Sequence, residues 1–375
     1  MNNITHRILD EVHWIRRVAE NHYEMVMDHQ MLSSWRMCEA HFNLTHVHGY
    51  VVKSQRNWSL EFGTVFHRAV EEIYKMRKQN GTSSITYMDL AQLAAQLWDR
   101  AGLDVFEYHR TFKQLGGKQG FIALVMQYAT FYSQDTERLR ILDTEVGFGR
   151  NREVPLGTLN FSNNTVYDTT RVDCFLSGRI DFLADDGRNI GPVDHKTRSV
   201  FANVEHILQY NPHEGITGYI YAVGHIIKKR HPVIAAQRRT NSAWLNFVQV
   251  ANESDPLKRF KRGLVMRTDY QLEQWRLRQL TTFEEIFRWL RSGHEPTWNT
   301  EVCTHWYGVN CVYHAVHRQP DAQSQLTVLN TDYVAGKYWN PEEVDNGNGV
   351  SGDSTTDKAK VQEQGILDNG NTTVQ

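Results

Sequence analysis

Two short apolar-rich runs, Gly178-Arg179-Ile180-Asp181-Phe182-Leu183 and Val193-Asp194-His195-Lys196-Thr197, flank the turn sequence Asp185-Asp186-Gly187-Arg188. Asp-Gly between two such runs signals a β-hairpin. A two-residue loop at Gly187-Arg188 sets Asp181 opposite Asp194, and a loop at Asp186-Gly187 sets Pro192 in that place. In both registers strand parity keeps Asp181, Asp194 and Lys196 on one face. Two close carboxylates repel unless a cation lies between them, and hard oxygen donors select Mg²⁺ or Mn²⁺. Such an ion could polarise a phosphate and activate water, with Lys196 positioning that water or offsetting developing charge. The same triplet on a solvated hairpin face is an ordinary Asp/Lys pair, so the motif by itself leaves both readings open.

Further blocks narrow the choice. Gly63-Thr64-Val65-Phe66-His67 followed by Glu71 and Glu72, then Gly178-Arg179-Ile180-Asp181, Asp194-His195-Lys196-Thr197 and Gly218-Tyr219, resemble in order and spacing the RecB-like branch of the PD-(D/E)XK nucleases. The resemblance runs from about Ser33 to His317. It implies that His67, Asp181, Asp194 and the backbone carbonyl of His195 bind the metal, that Lys196 is the catalytic lysine, and that Tyr219 contacts the DNA strand. The family usually has a glutamine four residues before that tyrosine, and this chain has Gly215 there. Glu214 and Gln209 lie nearby without sitting in register.

A chain of 375 residues with 40% hydrophobic residues can bury a substantial core, as one elaborated domain or two small ones. No run is apolar for long enough to cross a bilayer, and the N-terminus lacks the apolar centre of a secretory signal, so a cytoplasmic protein is expected, in the host cytoplasm if phage-encoded. The net charge of −2 is unevenly spread: Asn340 to Gln375 carry seven acids and two lysines, a net of −5, which leaves +3 on the remainder. Basic runs at Lys228-Lys229-Arg230, Arg238-Arg239 and Lys258-Arg259-Phe260-Lys261-Arg262 are candidates for phosphate contact or for plain solvated faces.

The spacing of Ile8, Val12, Ile15 and Val18 predicts an N-terminal helical segment over residues 1–32, and Ser33-Ser34 reads as the capped start of another helix. A β segment is expected near Leu44 to Val52, and a helix from Gly63 to Arg77 that sets His67 and Glu71 on one face. Residues 85–139 read as a helical insertion. Strands are expected at Ile141–Phe148, Val172–Leu183, Asn189–Thr197 and Ser242–Val250, and helices at Tyr219–Ile227 and Tyr270–Leu290. The fold class is therefore α/β: a restriction-endonuclease-like PD-(D/E)XK core, a mixed central sheet flanked by helices, with helical additions. Residues 33–320 form the nuclease domain in this reading, and the Gly/Asn/Thr/Ser-rich residues 340–375 form a disordered acidic tail.

Four cysteines occur, at 38, 174, 303 and 311, in a setting that argues against disulfides. Cys174 reads as core. Some RecB-like nucleases, among them the AddB nuclease domain and CRISPR adaptation nucleases, bind an iron-sulfur cluster through one cysteine before the core and three after it. Cys38, Cys303 and Cys311 match that arrangement, with His317 where the final cysteine would stand. The resemblance thus implies a Cys/His clasp at 303–317 closed by Cys38, holding a [4Fe-4S] cluster or Zn²⁺; buried inert thiols are the alternative. Trp306, Tyr307 and Tyr313 could stack on bases or pack the clasp.

The expectation is a divalent-metal-dependent deoxyribonuclease, most simply an exonuclease in recombination, repair or phage DNA metabolism. It would act on DNA beside a helicase, a recombinase or a single-strand-binding protein, with no membrane partner. The rival is a catalytically inactive nucleic-acid-binding or scaffold protein that retains the nuclease fold. Such a protein has no need to bring two carboxylates near phosphate.

Overall fold

The computed structural model describes residues 12–335 except 54–55, 81–84, 163–168, 200–202, 252–254 and 305–309. The first described residues form strands where a helix was expected. β1 (Ile15–Ala19) and β2 (His22–Met27) are antiparallel, turning at Asn21 with φ 56°. The three-to-four spacing was misleading because Val18 is exposed, whereas Tyr23, Met25, Val26 and Met27 are buried in the sheet. α1 (His29–Met37) then starts at Asp28, whose Oδ1 accepts the Met31 amide at 2.8 Å, and not at Ser33. Asn43–Val47 is a π-helical turn, which shortens the expected β segment to β3 (Tyr50–Val52).

α2 (Trp58–Asn80) begins at Asn57, whose side chain accepts the Ser59 and Leu60 amides. With α3 (Tyr87–Ala101) and α4 (Gly117–Phe131) it forms a helical layer. Phe62, Phe66, Ile73, Trp98, Phe121 and Tyr128 are buried within that layer, against Phe182, Val193 and Trp244 of the sheet. Of these helices, α3 and α4 fall within residues 85–139, the stretch read as helical from the sequence.

β4 (Arg140–Phe148) leads into β5 (Pro155–Ser162) and β6 (Thr169–Leu176), then β7 (Gly178–Asp185) and β8 (Ile190–Arg198). The single strand expected over 172–183 is thus two strands divided at Ser177, and they belong to different sheets. The β7–β8 turn is held by Asp186 Oδ1, which accepts the Arg188 and Asn189 amides at 2.8 and 2.6 Å, and by Asp185 Oδ1, which accepts the Gly187 amide. These short side-chain turns are what Asp offers a tight connection.

α5 (Glu214–Arg230), β9 (Ser242–Gln249), β10 (Phe260–Met266), α6 (Asp269–Ser292), α7 (Ala322–Asp332) and β11 (Tyr333–Ala335) complete the described chain. The main sheet has the order β10-β9-β8-β7-β4, with β8 and β9 parallel and the other pairs antiparallel. A second sheet, β1-β2-β6-β5, packs with α1, α5 and α6 around Met25, Leu32, Leu176, Ile226 and Phe283. β3 pairs with β11, bringing the last described residues back against residues 50–52. This is a mixed α/β architecture with helices on its sheets. Residues 340–375, expected to be disordered, lie outside the described residues.

Candidate active site

The β7–β8 ladder runs Asp185↔Ile190, Ala184↔Gly191, Leu183↔Pro192 and Phe182↔Val193, the register that continues to Asp181 opposite Asp194. Beyond Phe182 the main-chain ladder gives way to a side chain: Asp181 Oδ2 accepts the His195 amide at 2.9 Å. His67, from α2, spans the same gap, with Nδ1 3.3 Å from Asp181 Oδ2 and Nε2 3.0 Å from the His195 carbonyl oxygen. Asp194 Oδ2 lies 2.7 Å from Lys196 Nζ. The five groups expected from the sequence therefore meet at one end of the hairpin.

Their electrostatics are coupled. Burial opposes the His67 cation, but Asp181, and then Asp194, raise it to about 9, so the ring is an imidazolium that donates to both of its neighbours. Burial likewise disfavours ionised Asp181, yet His67 and His195 hold its carboxyl well below the usual carboxylate range. Lys196 is disfavoured by burial and more than compensated by Asp194, so it stays charged.

A family model for the PD-(D/E)XK nuclease superfamily matches residues 29–316. The chain belongs to this superfamily. No relative among curated proteins matches the chain. Members of the PD-(D/E)XK superfamily are generally nucleases and typically use Mg²⁺ or Mn²⁺, so the fold implies a nucleic-acid substrate.

The donors fit such an ion in kind: two carboxylates, a carbonyl oxygen and one imidazole form a hard set. Among the described residues no three His, Cys, Asp or Glu side chains already stand as a metal-holding group. His67 is engaged with Asp181 and the His195 carbonyl, and Asp194 with Lys196, and these are the contacts a cation would replace. Asp194 Oδ2 is buried without a well-directed hydrogen bond, although the Lys196 ammonium lies beside it. A buried carboxylate oxygen in that condition is a suitable ligand.

Several supporting residues escaped the sequence reading. The His195 ring points into the helical layer, where its Nε2 lies 2.7 Å from Tyr128 Oη and 3.1 Å from Asn246 Nδ2. Arg262 Nε donates to Asn246 Oδ1 at 2.7 Å, which fixes the amide so that its NH₂ faces the ring. His195 Nε2 is then an acceptor, and burial keeps this imidazole neutral. Arg262 forms a two-pronged pair with Asp135, which also accepts the Tyr74 hydroxyl at 2.6 Å. A polar side chain at Asn246, inside the apolar run Ala243-Trp244-Leu245-Asn246-Phe247-Val248, was the available signal. Glu145 also stands beside the site, with φ 48° where the β4–β7 ladder skips it, and burial pushes its carboxyl up to about 7.

Members of all three basic runs serve the fold. Arg259 is buried, donating to the Gln249 and Val250 carbonyls and to Gln127, and Arg262 is committed to Asp135. Arg238 pairs with Asp185 and Arg230 with Glu153. Tyr219 of α5 is half-buried, its ring edge-on to His29 with centroids 5.7 Å apart.

Cys38, Cys303 and Cys311 are buried free thiols, and Cys174 is core as expected. Cys303 Sγ is 3.0 Å from His317 Nδ1, and the Cys311 amide donates to the Cys303 carbonyl at 2.8 Å. Cys311 Sγ is 3.3 Å from Nδ1 of His41, a neighbour the sequence reading did not include. His317 stacks on Trp298 and its buried Nε2 has no hydrogen-bond partner among the described residues. Tyr313 is buried against the clasp, its hydroxyl donating to the Tyr50 carbonyl at 2.6 Å, so it packs and does not stack on bases. Trp306 and Tyr307 lie outside the described residues. Among the described residues no helix is long and apolar enough to cross a membrane.

Proposed function

We propose that this protein is a divalent-metal-dependent deoxyribonuclease, working as an exonuclease in recombination, repair or phage DNA metabolism. What supports the reading is the meeting of His67, Asp181, the His195 carbonyl, Asp194 and Lys196 at one end of the β7–β8 hairpin. A binding module gains nothing from two carboxylates where phosphate must approach. The DNA and exonuclease assignments, and work beside a helicase, recombinase or single-strand-binding protein, rest on the RecB-like order of the sequence blocks.

His67, Asp181, Asp194 and the His195 carbonyl would hold Mg²⁺ or Mn²⁺, which supplies Lewis-acid polarisation of the phosphate and a more acidic water. Lys196, kept cationic by Asp194, orients the water that attacks phosphorus in line and offsets charge as the P–O bond breaks. Asp181 accepts the His195 amide and so holds β8 at the site. Tyr219, within electrostatic range of Asp194 and Asp181, is the candidate contact to the substrate strand.

The clasp belongs to the same proposal: Cys38, Cys303, Cys311 and His317 bind a [4Fe-4S] cluster or Zn²⁺ that ties residues 33–320 into one nuclease domain. The deciding experiment is cleavage of end-labelled single- and double-stranded DNA with Mg²⁺ or Mn²⁺ by wild type and Lys196→Ala. Divalent-dependent shortening from one end, lost in the variant, is expected; equal cleavage by both proteins, or by neither, overturns the reading.

A further inference from the structure

α5 begins with a helical turn cut away on one side. A Cβ built on Gly215 would lie 2.7 Å from Nε2, 2.9 Å from Cδ2 and 3.3 Å from Cε1 of His29, so no side chain larger than hydrogen fits while that ring is in place. Gly215 is helical and needs no left-handed backbone. Its smallness serves the His29 ring.

His29 is the first residue of α1, and its position is well fixed. Asp28 caps the helix, Ser177 donates its amide to the Met27 carbonyl at 3.0 Å, and Arg36 on the same helix binds Glu214, Gln279 and Thr282. The ring stands edge-on to Tyr219 and within electrostatic range of Lys196, Asp194 and Glu214. Its neighbours are otherwise occupied. His213 Nδ1 accepts the Ile216 amide as the α5 cap, and Glu214 is claimed by Arg36, Arg278 and Gln279. Neither ring nitrogen of His29 has a hydrogen-bond partner among the described residues, and neither is fully buried. An imidazole packed between Gly215 and Tyr219, with no hydrogen-bond partner among the described residues and within electrostatic range of a cationic lysine, is suited to a phosphate oxygen.

The geometry points to His29 as a substrate-binding residue whose ring, seated against Gly215, donates an N–H to a backbone phosphate oxygen of the nucleic-acid strand. This rests on the nuclease reading above, and it adds a strand contact from α1, outside the hairpin and α2. It also accounts physically for Gly215: a side chain at that position and the His29 ring exclude each other.

The test is a double-mutant cycle read by binding of a fluorescein-labelled single-stranded DNA oligonucleotide, measured in Ca²⁺ and again in the Lys196→Ala background so that cleavage does not interfere. Loss of one hydrogen bond to a charged acceptor weakens binding by about tenfold or more. His29→Ala is expected to show that loss with unchanged thermal stability, and His29→Gln, which keeps an N–H donor, to recover part of it. Gly215→Ala should weaken binding similarly by displacing the ring, and should add nothing in the His29→Ala background. Wild-type affinity in His29→Ala, or fully additive losses in the cycle, overturns the assignment. Failure of the nuclease reading appears separately, as absence of Lys196-dependent cleavage, because the binding cycle needs no turnover.

Discussion

Asp181 Oδ2 accepts the backbone amide of His195 at 2.9 Å, while the carbonyl of that same residue lies 3.0 Å from His67 Nε2. Both ends of His195 are thus gripped by side chains from other elements, and Asp181 also keeps the ring that holds the carbonyl charged. Asp181→Asn retains an oxygen that can accept the amide but removes the charge. Cleavage is expected to fall by about a thousandfold or more, several kcal/mol of transition-state stabilisation, with little change in thermal unfolding. Timed digestion of labelled DNA by the purified variant checks this.

Asn246 separates the neutral His195 from the Arg262 cation. Asn246→Leu is expected to cost about 1–3 kcal/mol, because His195 and Arg262 each lose a buried partner. Denaturant unfolding measures the cost, and a parallel drop in cleavage would show that the His195 ring orientation matters for the carbonyl beside it.

Asp135 and Arg262 form a largely buried pair that also serves Tyr74. Arg262→Met leaves the Asp135 charge without its cation and is expected to destabilise the fold by about 3–5 kcal/mol. Asp135→Leu combined with Arg262→Met should recover most of that loss. A double variant as unstable as the sum of the two single variants would show that the pair does not act as a unit.

Burial lowers His46 to about 4, against an ordinary value of 6.5. Above pH 6.5 the ring is neutral in both folded and unfolded chains, and its burial is not opposed by charge. As pH falls from 6.5 towards 4 the unfolded chain takes up the proton first, so stability declines across that window. Melting temperatures between pH 7.5 and 4.5 should fall for wild type and fall less steeply for His46→Gln.

Three thiols and two imidazoles crowd the clasp. Purified protein is expected to carry iron or zinc, and Cys311→Ser to lower its content and the melting temperature together. Metal-free protein of equal stability would reduce the clasp to packing.

The centre of the site was legible because its geometry is local. An Asp-Gly turn sets a register, and the register places Asp181, Asp194 and Lys196; helix periodicity then presents His67. Long-range pairing decided the rest. Whether Ile15 to Met27 coils or extends depends on β6, which runs parallel to β2 from Arg171 to Leu176, and no spacing within 1–32 reveals that partner. Arg259 and Arg262 read as surface charge because their acceptors, on Gln127, Asn246 and Asp135, are distant in sequence. Glu145 and His29 had no motif at all; a strained φ and a missing Cβ identify them only in three dimensions.

The pairing of β3 with β11 has a consequence for synthesis. Tyr50 receives the Tyr313 hydroxyl from 263 residues further along the chain, and β3 has no other strand partner among the described residues. At about 5–20 residues per second, translation leaves that edge uncovered for roughly 10–50 s. Through this interval the nascent chain offers open backbone groups to its neighbours. The yield of native protein therefore depends on how crowded the ribosomes are, as well as on how stable the finished fold is.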